Sequence, residues 1–208
     1  MLTEHMVPPR LILILGGARS GKSAFAERLA ARSGRTVAYI ATATDSDDEM
    51  RERIARHRAS RPQKWHTIEE PLDLAEAVQR AYHLADVALL DCVTLWLGNT
   101  LLQEPGEHES DVQGNEELRI TSSPFDDRSM QQISALLAVM QNAEAGKTLI
   151  VVSNEVGLGI VPAYPLGRVY RDTLGYINQR LAQDADRVYL MVAGMAVDIK
   201  SLHHEASL

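Results

Sequence analysis

Gly16-Gly17-Ala18-Arg19-Ser20-Gly21-Lys22-Ser23 decides the fold of this 208-residue chain, because it fits G-x-x-x-x-G-K-[ST] without a mismatch. Each residue type at that spacing has a task around a polyphosphate. Glycines let the backbone curl until successive N–H groups point at anionic oxygens, and the helix N-terminus behind them adds a favourable field. Lys22 is placed to reach the β- and γ-phosphates of a nucleotide, and the Ser23 hydroxyl to ligate Mg²⁺.

The flanks supply the context this motif needs. Upstream, Leu11–Leu15 is a continuous apolar run, as in a strand buried on both faces of a parallel sheet. Downstream, Phe25 and Leu29 stand four apart beside Ala26 and Ala30, and Gly34 supplies a helix stop. Strand, phosphate loop and helix follow in order, which disfavours a glycine-rich turn that matches by chance.

Further apolar runs at Thr36–Ala41, Val87–Asp91, Thr148–Ser153 and Arg187–Val192 read as strands. Helical patterns separate them at Ser23–Arg32, Asp47–Arg58, Leu72–Leu84, Ser129–Ala143 and Leu166–Gln183. This alternation predicts an α/β fold with a mostly parallel sheet. Gly194 allows a turn into Ala196–Ile199, read as an antiparallel edge strand. Residues 10–200 form one expected domain, interrupted by Glu104–Asp127, whose acidic and apolar-poor composition reads as a mobile surface insertion. A lid over the site is the alternative for that segment. Met1–Pro9 and His203–Leu208 read as frayed ends.

Net charge of −7 argues against general nucleic-acid affinity. The single cysteine, Cys92, has no partner for an internal disulfide and suggests a reducing compartment. No apolar run approaches a membrane span and Met1–Arg10 carries no secretory pattern, so a cytoplasmic protein is expected.

Several polar residues fall where chemistry is expected. Asp91 ends an apolar strand, the position from which a carboxylate holds Mg²⁺ in phosphate-loop proteins; capping a loop is its plainer role. The Thr42 and Thr44 hydroxyls follow a strand on the ligand side of the sheet; Thr44 or Asp45 capping the next helix is the alternative. On that helix Met50, Ile54 and His57 share one face, with Arg53, Arg56, Arg58 and Arg61 around them. Solvated arginines are one reading. The other is an imidazole among phosphate-attracting cations, kept neutral and nucleophilic by them. Asn154 and Glu155 should emerge at the carboxyl-end crevice, with Gly157 and Gly159 allowing close backbone approach. Arg168, Arg171 and Arg180 on the last helix read most simply as ion-pair partners.

Taken together, these segments resemble the bifunctional adenosylcobinamide kinase/adenosylcobinamide-phosphate guanylyltransferase family of cobalamin biosynthesis. The matching pieces are Gly16–Ser23, Tyr39-Ile40-Ala41-Thr42, Asp47-Asp48-Glu49-Met50 with Arg53, Ile54 and His57, then Arg61-Pro62, Trp65 and Glu69. Leu89-Leu90-Asp91-Cys92, Asn154-Glu155-Val156-Gly157, Gly159–Pro162, Arg171-Asp172, Gly175, Asn178-Gln179 and Ala185-Asp186 complete them. The resemblance implies a RecA-like P-loop NTPase fold, helices on both faces of the sheet, and a homotrimer. It implies two reactions: ATP or GTP phosphorylates adenosylcobinamide, then GMP passes from GTP through a histidine to adenosylcobinamide phosphate.

Carried across, the resemblance makes His57 the guanylylated nucleophile and Lys22 the second catalytic group. Its nucleotide contacts fall on Gly16, Gly17, Ala18, Arg19, Ser20, Gly21, Lys22 and Ser23, on Ala41, Thr42 and Ala43, and on Arg58, Ala59, Ser60, Arg61, Glu69 and Asp91. Ser23 and Asp91 are the implied Mg²⁺ ligands. Competing readings are a P-loop kinase of another small molecule with His57 incidental, and a RecA-like motor, which the acidic balance disfavours.

Overall fold

Residue alternation along Leu11–Gly16 (β1) explains why this strand sits in the middle of the molecule. Leu11, Leu13 and Leu15 point into one apolar layer, and Ile12 and Ile14 into another. A computed structural model describes residues 8–44, 51–52, 58, 61–102 and 127–203 of the chain. In chain order the remaining elements are α1 (Lys22–Arg32), β2 (Val37–Ala41), β3 (His66–Glu69), α2 (Leu74–Leu84), β4 (Val87–Asp91) and α3 (Val93–Leu102). They continue with α4 (Asp127–Asn142), β5 (Thr148–Val152), α5 (Pro165–Asp184), β6 (Arg187–Val192) and β7 (Met195–Asp198).

The strands form one sheet in the order β3-β2-β4-β5-β1-β6-β7. Every neighbouring pair is parallel except β6 and β7, which run antiparallel through the turn at Gly194. One strand, β5, separates the phosphate-loop strand β1 from the acid-bearing strand β4, the RecA-like arrangement of P-loop folds.

Helices cover both faces. The larger layer takes Ala77 and Val78 of α2, Trp96 and Leu97 of α3, Leu136 and Leu137 of α4, and Leu174 and Ile177 of α5. The smaller layer takes Ala26 and Ala30 of α1 together with Trp65. Helix ends are closed by side chains. Asp73 accepts from the Glu76 N–H at 2.9 Å at the start of α2. Arg10 donates to the Met140, Gln141 and Ala143 carbonyls at the end of α4, and Lys200 to those of Ala182, Gln183 and Ala185 at the end of α5.

Two elements go beyond the sequence expectation. His66–Glu69 is a parallel edge strand with a single buried residue, Ile68, so it lacks an apolar run. Val93–Leu102 is a helix that starts one residue after β4, so strand and helix merge into one apolar stretch. Asp127 opens α4 and does not belong to the expected insertion. The rest of that insertion, most of the expected Asp47–Arg58 helix and most of the two terminal stretches lie outside the described residues.

Candidate nucleotide-binding and transfer site

Parallel pairing brings the expected site residues to one edge of the sheet. Ala41 stands opposite both Glu69 and Asp91, Asp91 opposite Val152, and Gly16 opposite Met191. This is the carboxyl edge, where open α/β sheets take their ligands.

The phosphate loop leaves β1 at Gly16, whose φ of +150° is joined to a close approach. A Cβ there would meet the Met191 carbonyl oxygen at 2.6 Å and Ser20 Oγ at 2.8 Å. Gly21, at φ +93°, turns the chain into α1. The loop is held from outside by Glu155 N–H donating to the Gly16 carbonyl at 3.0 Å and Gly194 N–H to the Ser20 carbonyl at 3.1 Å. Lys22 is buried, and its Nζ donates to the Gly17 carbonyl at 2.6 Å, so the ammonium lies inside the curl. Ser20 Oγ is buried and has no hydrogen-bond partner among the described residues. A buried hydroxyl without a partner is costly, and a polyphosphate oxygen would satisfy it. Residues 16–20 form one wall of a cavity of about 570 Å³, within the ~300–1,000 Å³ range of small-molecule sites.

At the end of β4, Asp91 Oδ2 accepts from the Tyr39 hydroxyl at 2.8 Å. The Arg61 guanidinium sits 3.5 Å from the centre of the Tyr39 ring. Burial and the neighbouring Asp91 charge push the Tyr39 hydroxyl far above its ordinary range, so it remains a neutral donor to the carboxylate. Arg58 pairs with Glu69 at 3.2 Å, both largely exposed, so the pair contributes about 1 kcal/mol at most.

Thr42 joins two strand ends. Its hydroxyl donates to the Cys92 carbonyl at 2.7 Å and accepts from the Cys92 N–H at 2.9 Å. The buried side chain thus clamps the ends of β2 and β4 together. Ala41 and Ala43 are half-buried on either side. Burial also pushes the Cys92 thiol up to about 11, which leaves it a poor nucleophile near neutral pH.

The segment after β5 is fixed by a buried polar chain. Ser153 Oγ donates to Asn178 Oδ1 at 2.7 Å, and Asn178 Nδ2 to the Asn154 carbonyl at 3.0 Å. The Asn154 N–H donates to Thr94 Oγ1 at 2.7 Å. Glu155, the next residue, lines the cavity. Asn99 adds a similar tie, donating to the Thr42 and Pro71 carbonyls at 2.8 and 3.2 Å. Sequence reasoning gave Tyr39, Thr94 and Asn99 no separate role, because their partners lie 52, 60 and 57 positions away. Arg171 and Arg180 form the expected ion pairs with Asp172 and Asp184 at 2.8 and 3.2 Å, while Arg168 donates to the Pro162 and Ala163 carbonyls. His57, Ala59 and Ser60 lie outside the described residues.

The donor set suits Mg²⁺. No group of three or more His, Cys, Asp or Glu able to hold a metal exists among the described residues. A P-loop cation needs none, since phosphate oxygens and water complete its shell around one carboxylate and one hydroxyl. Asp91 and Ser23 are hard oxygen donors of that kind, and the Tyr39 bond fixes one oxygen of the carboxylate.

A phosphate loop at the end of one parallel strand and a braced carboxylate at the end of another define a nucleotide-binding protein of the P-loop class. The family model described as cobinamide kinase / cobinamide phosphate guanyltransferase matches residues 12–199, and the chain belongs to that family. It is 44% identical over 188 residues to the bifunctional adenosylcobalamin biosynthesis protein CobP of Pseudomonas aeruginosa, covering 90% of this chain and 96% of that one. It is 40% identical over 195 residues to CobU of Escherichia coli, another bifunctional adenosylcobalamin biosynthesis protein, covering 91% and 99%. No described helix is long and apolar enough to cross a membrane.

Proposed function

We propose that this protein phosphorylates adenosylcobinamide with ATP or GTP and then converts the product to adenosylcobinamide-GDP with a second GTP. The observation that carries the reading is the Gly16–Ser23 cradle, with Lys22 inside it, in a chain of this family.

In the first step the aminopropanol hydroxyl attacks the γ-phosphorus of the donor. Lys22 and the loop N–H groups stabilise charge on the transferring group and on the nucleoside diphosphate that leaves. Mg²⁺ held by Ser23 and Asp91 would neutralise phosphate charge there. In the second step the His57 imidazole attacks the α-phosphorus of GTP; a P–N bond forms and the bond to pyrophosphate breaks. A phosphate oxygen of adenosylcobinamide phosphate then displaces the imidazole. The neutral nucleophile spares the first exchange a direct meeting of two anions. Arg58 and Arg61, held near Glu69 and Tyr39, supply positive charge on this side of the sheet.

Incubation with α-labelled GTP tests the assignment. Lys22→Ala should abolish both activities. His57→Ala should keep phosphorylation yet lose acid-labile label, the added GMP mass and GDP-cobinamide formation. Full guanylyl transfer by His57→Ala would overturn the covalent route. We further read the working form as a cytoplasmic homotrimer. Exposed Met195 and Val197 on β7 and Leu202 beyond it offer apolar surface between copies, and sedimentation would measure the mass.

A further inference from the structure

We propose that the one phosphate loop serves two nucleotides laid in opposite directions, with separate nucleoside positions on its two flanks. This rests on the functional reading above. The strand order puts β5, β4, β2 and β3 on one side of β1 and β6 and β7 on the other. Asp91, Ala41, Glu69, Arg58 and the Arg61–Tyr39 stack all belong to the first flank. The cavity opens over the end of β1 itself, between the Leu158–Gly159 turn that follows β5 and the end of β6 at Met191–Ala193, with Glu155 on its wall.

Each reaction fixes a direction. Phosphoryl transfer needs the γ-phosphate beside the carboxylate, and Asp91 is on the β4 flank. The nucleoside of the phosphoryl donor therefore points the other way, into the cavity along β6. Guanylyl transfer needs pyrophosphate, the leaving group, to stay in the loop. Its α-phosphorus and guanosine then lie on the flank where Arg58 and Arg61 are held.

That cavity has the chemistry of a base site. Leu158 and Val192 both line it, 86% and 54% exposed, and a flat heterocycle held against them would remove both from water. Glu155 Oε1 accepts from the Gly157 N–H at 2.8 Å, and the carboxylate retains acceptor capacity for ribose hydroxyls. Ser20 Oγ, buried and unpartnered among the described residues, lies where cavity and phosphate cradle join. The two donors would compete for the loop while being recognised by different residues.

The Leu158→Ser/Val192→Ser variant tests this, since both side chains are exposed and their loss spares the core. Its KM for ATP in adenosylcobinamide phosphorylation should rise about tenfold, roughly what two lost aliphatic contacts cost. Labelling of the protein by α-labelled GTP should change less than twofold. Equal loss in both steps, or no loss in either, overturns the proposal. Photolabelling of the unaltered protein with 8-azido-ATP gives a second reading: peptides containing 155–159 or 190–193 should carry the label, and label confined to β2–β3 peptides overturns it. Tripolyphosphate should inhibit both steps, and inhibition of only one overturns it. Failure of the functional reading looks different. The unaltered protein would then phosphorylate no adenosylcobinamide, while 8-azido-ATP still labelled the same two peptides.

Discussion

Tyr39 shows how one hydroxyl braces the carboxylate proposed to hold Mg²⁺. Its hydrogen bond fixes Asp91 from below while the Arg61 guanidinium covers its ring. Tyr39→Phe keeps the ring and removes only the donor. A net hydrogen bond to a charged group is worth about 1.5–3 kcal/mol, and part of that should appear as a Mg²⁺ half-saturation raised about three- to tenfold. Titration of Mg²⁺ against tripolyphosphate binding checks this without turnover; unchanged Mg²⁺ affinity would show that Asp91 needs no such brace. At the opposite edge of the sheet, Asp86 accepts from Thr36 at 2.9 Å and from Lys147 at 3.4 Å. The Thr36 bond first, then Lys147, hold its carboxyl below the ordinary value of 3.8. A lowered carboxylate adds stability above its unfolded value and loses it as pH falls through the folded one. The unaltered protein should therefore exceed Asp86→Asn by under about 1 kcal/mol at pH 7, the residue being half exposed. That gap should stay constant down to the ordinary carboxylate range and close below it, as denaturant titrations across pH would measure.

At the scale of elements, α3 and α5 hold the site from behind the sheet. Thr94 on α3 accepts from the Asn154 N–H, and Asn178 on α5 ties Ser153 to the Asn154 carbonyl. Thr94→Val keeps the shape and strands a partly buried N–H. A cost of about 1–3 kcal/mol in urea unfolding is expected, with weaker nucleotide binding because Glu155 follows directly. A variant as stable as the parent would mean that water replaces the threonine. The same elements mark what was legible in the sequence. The strands β1, β2, β4, β5 and β6 announce themselves because each is an apolar run in a two-sided sheet. Edge strand β3 buries only Ile68, leaving no run to read. Helix α3 buries Val93, Thr94, Trp96, Leu97 and Thr100 on one face, but its other positions include Leu95, Leu101 and Leu102, so no polar stripe reveals a surface helix. The phosphate loop was readable because its residues are contiguous. The Thr42–Cys92 clamp and the Asn178 tie were not, because pairing across strands and helices leaves no trace in spacing along the chain.

Across the whole molecule, each of the five inner strands serves two apolar layers, which predicts how the fold comes apart. Leu11 and Leu13 of β1 pack in the larger layer while Ile12 and Ile14, between them, pack in the smaller. One layer cannot melt without unseating side chains from the strand the other needs. The chain's two tryptophans fall one in each layer, Trp96 in the larger and Trp65 in the smaller. Trp65→Phe and Trp96→Phe proteins therefore carry one fluorescent reporter apiece. Trp96→Phe also removes a hydrogen bond to the Leu72 carbonyl, so the two proteins are to be compared each with itself. In each, the fluorescence and far-ultraviolet circular dichroism transitions in urea should coincide, as two-state unfolding requires. Tripolyphosphate should shift both probes upward together, since a ligand of the folded state stabilises every part that unfolds with it. Trp65 fluorescence changing at lower urea than the dichroism would show instead that the layer under α1, next to the phosphate loop, opens on its own.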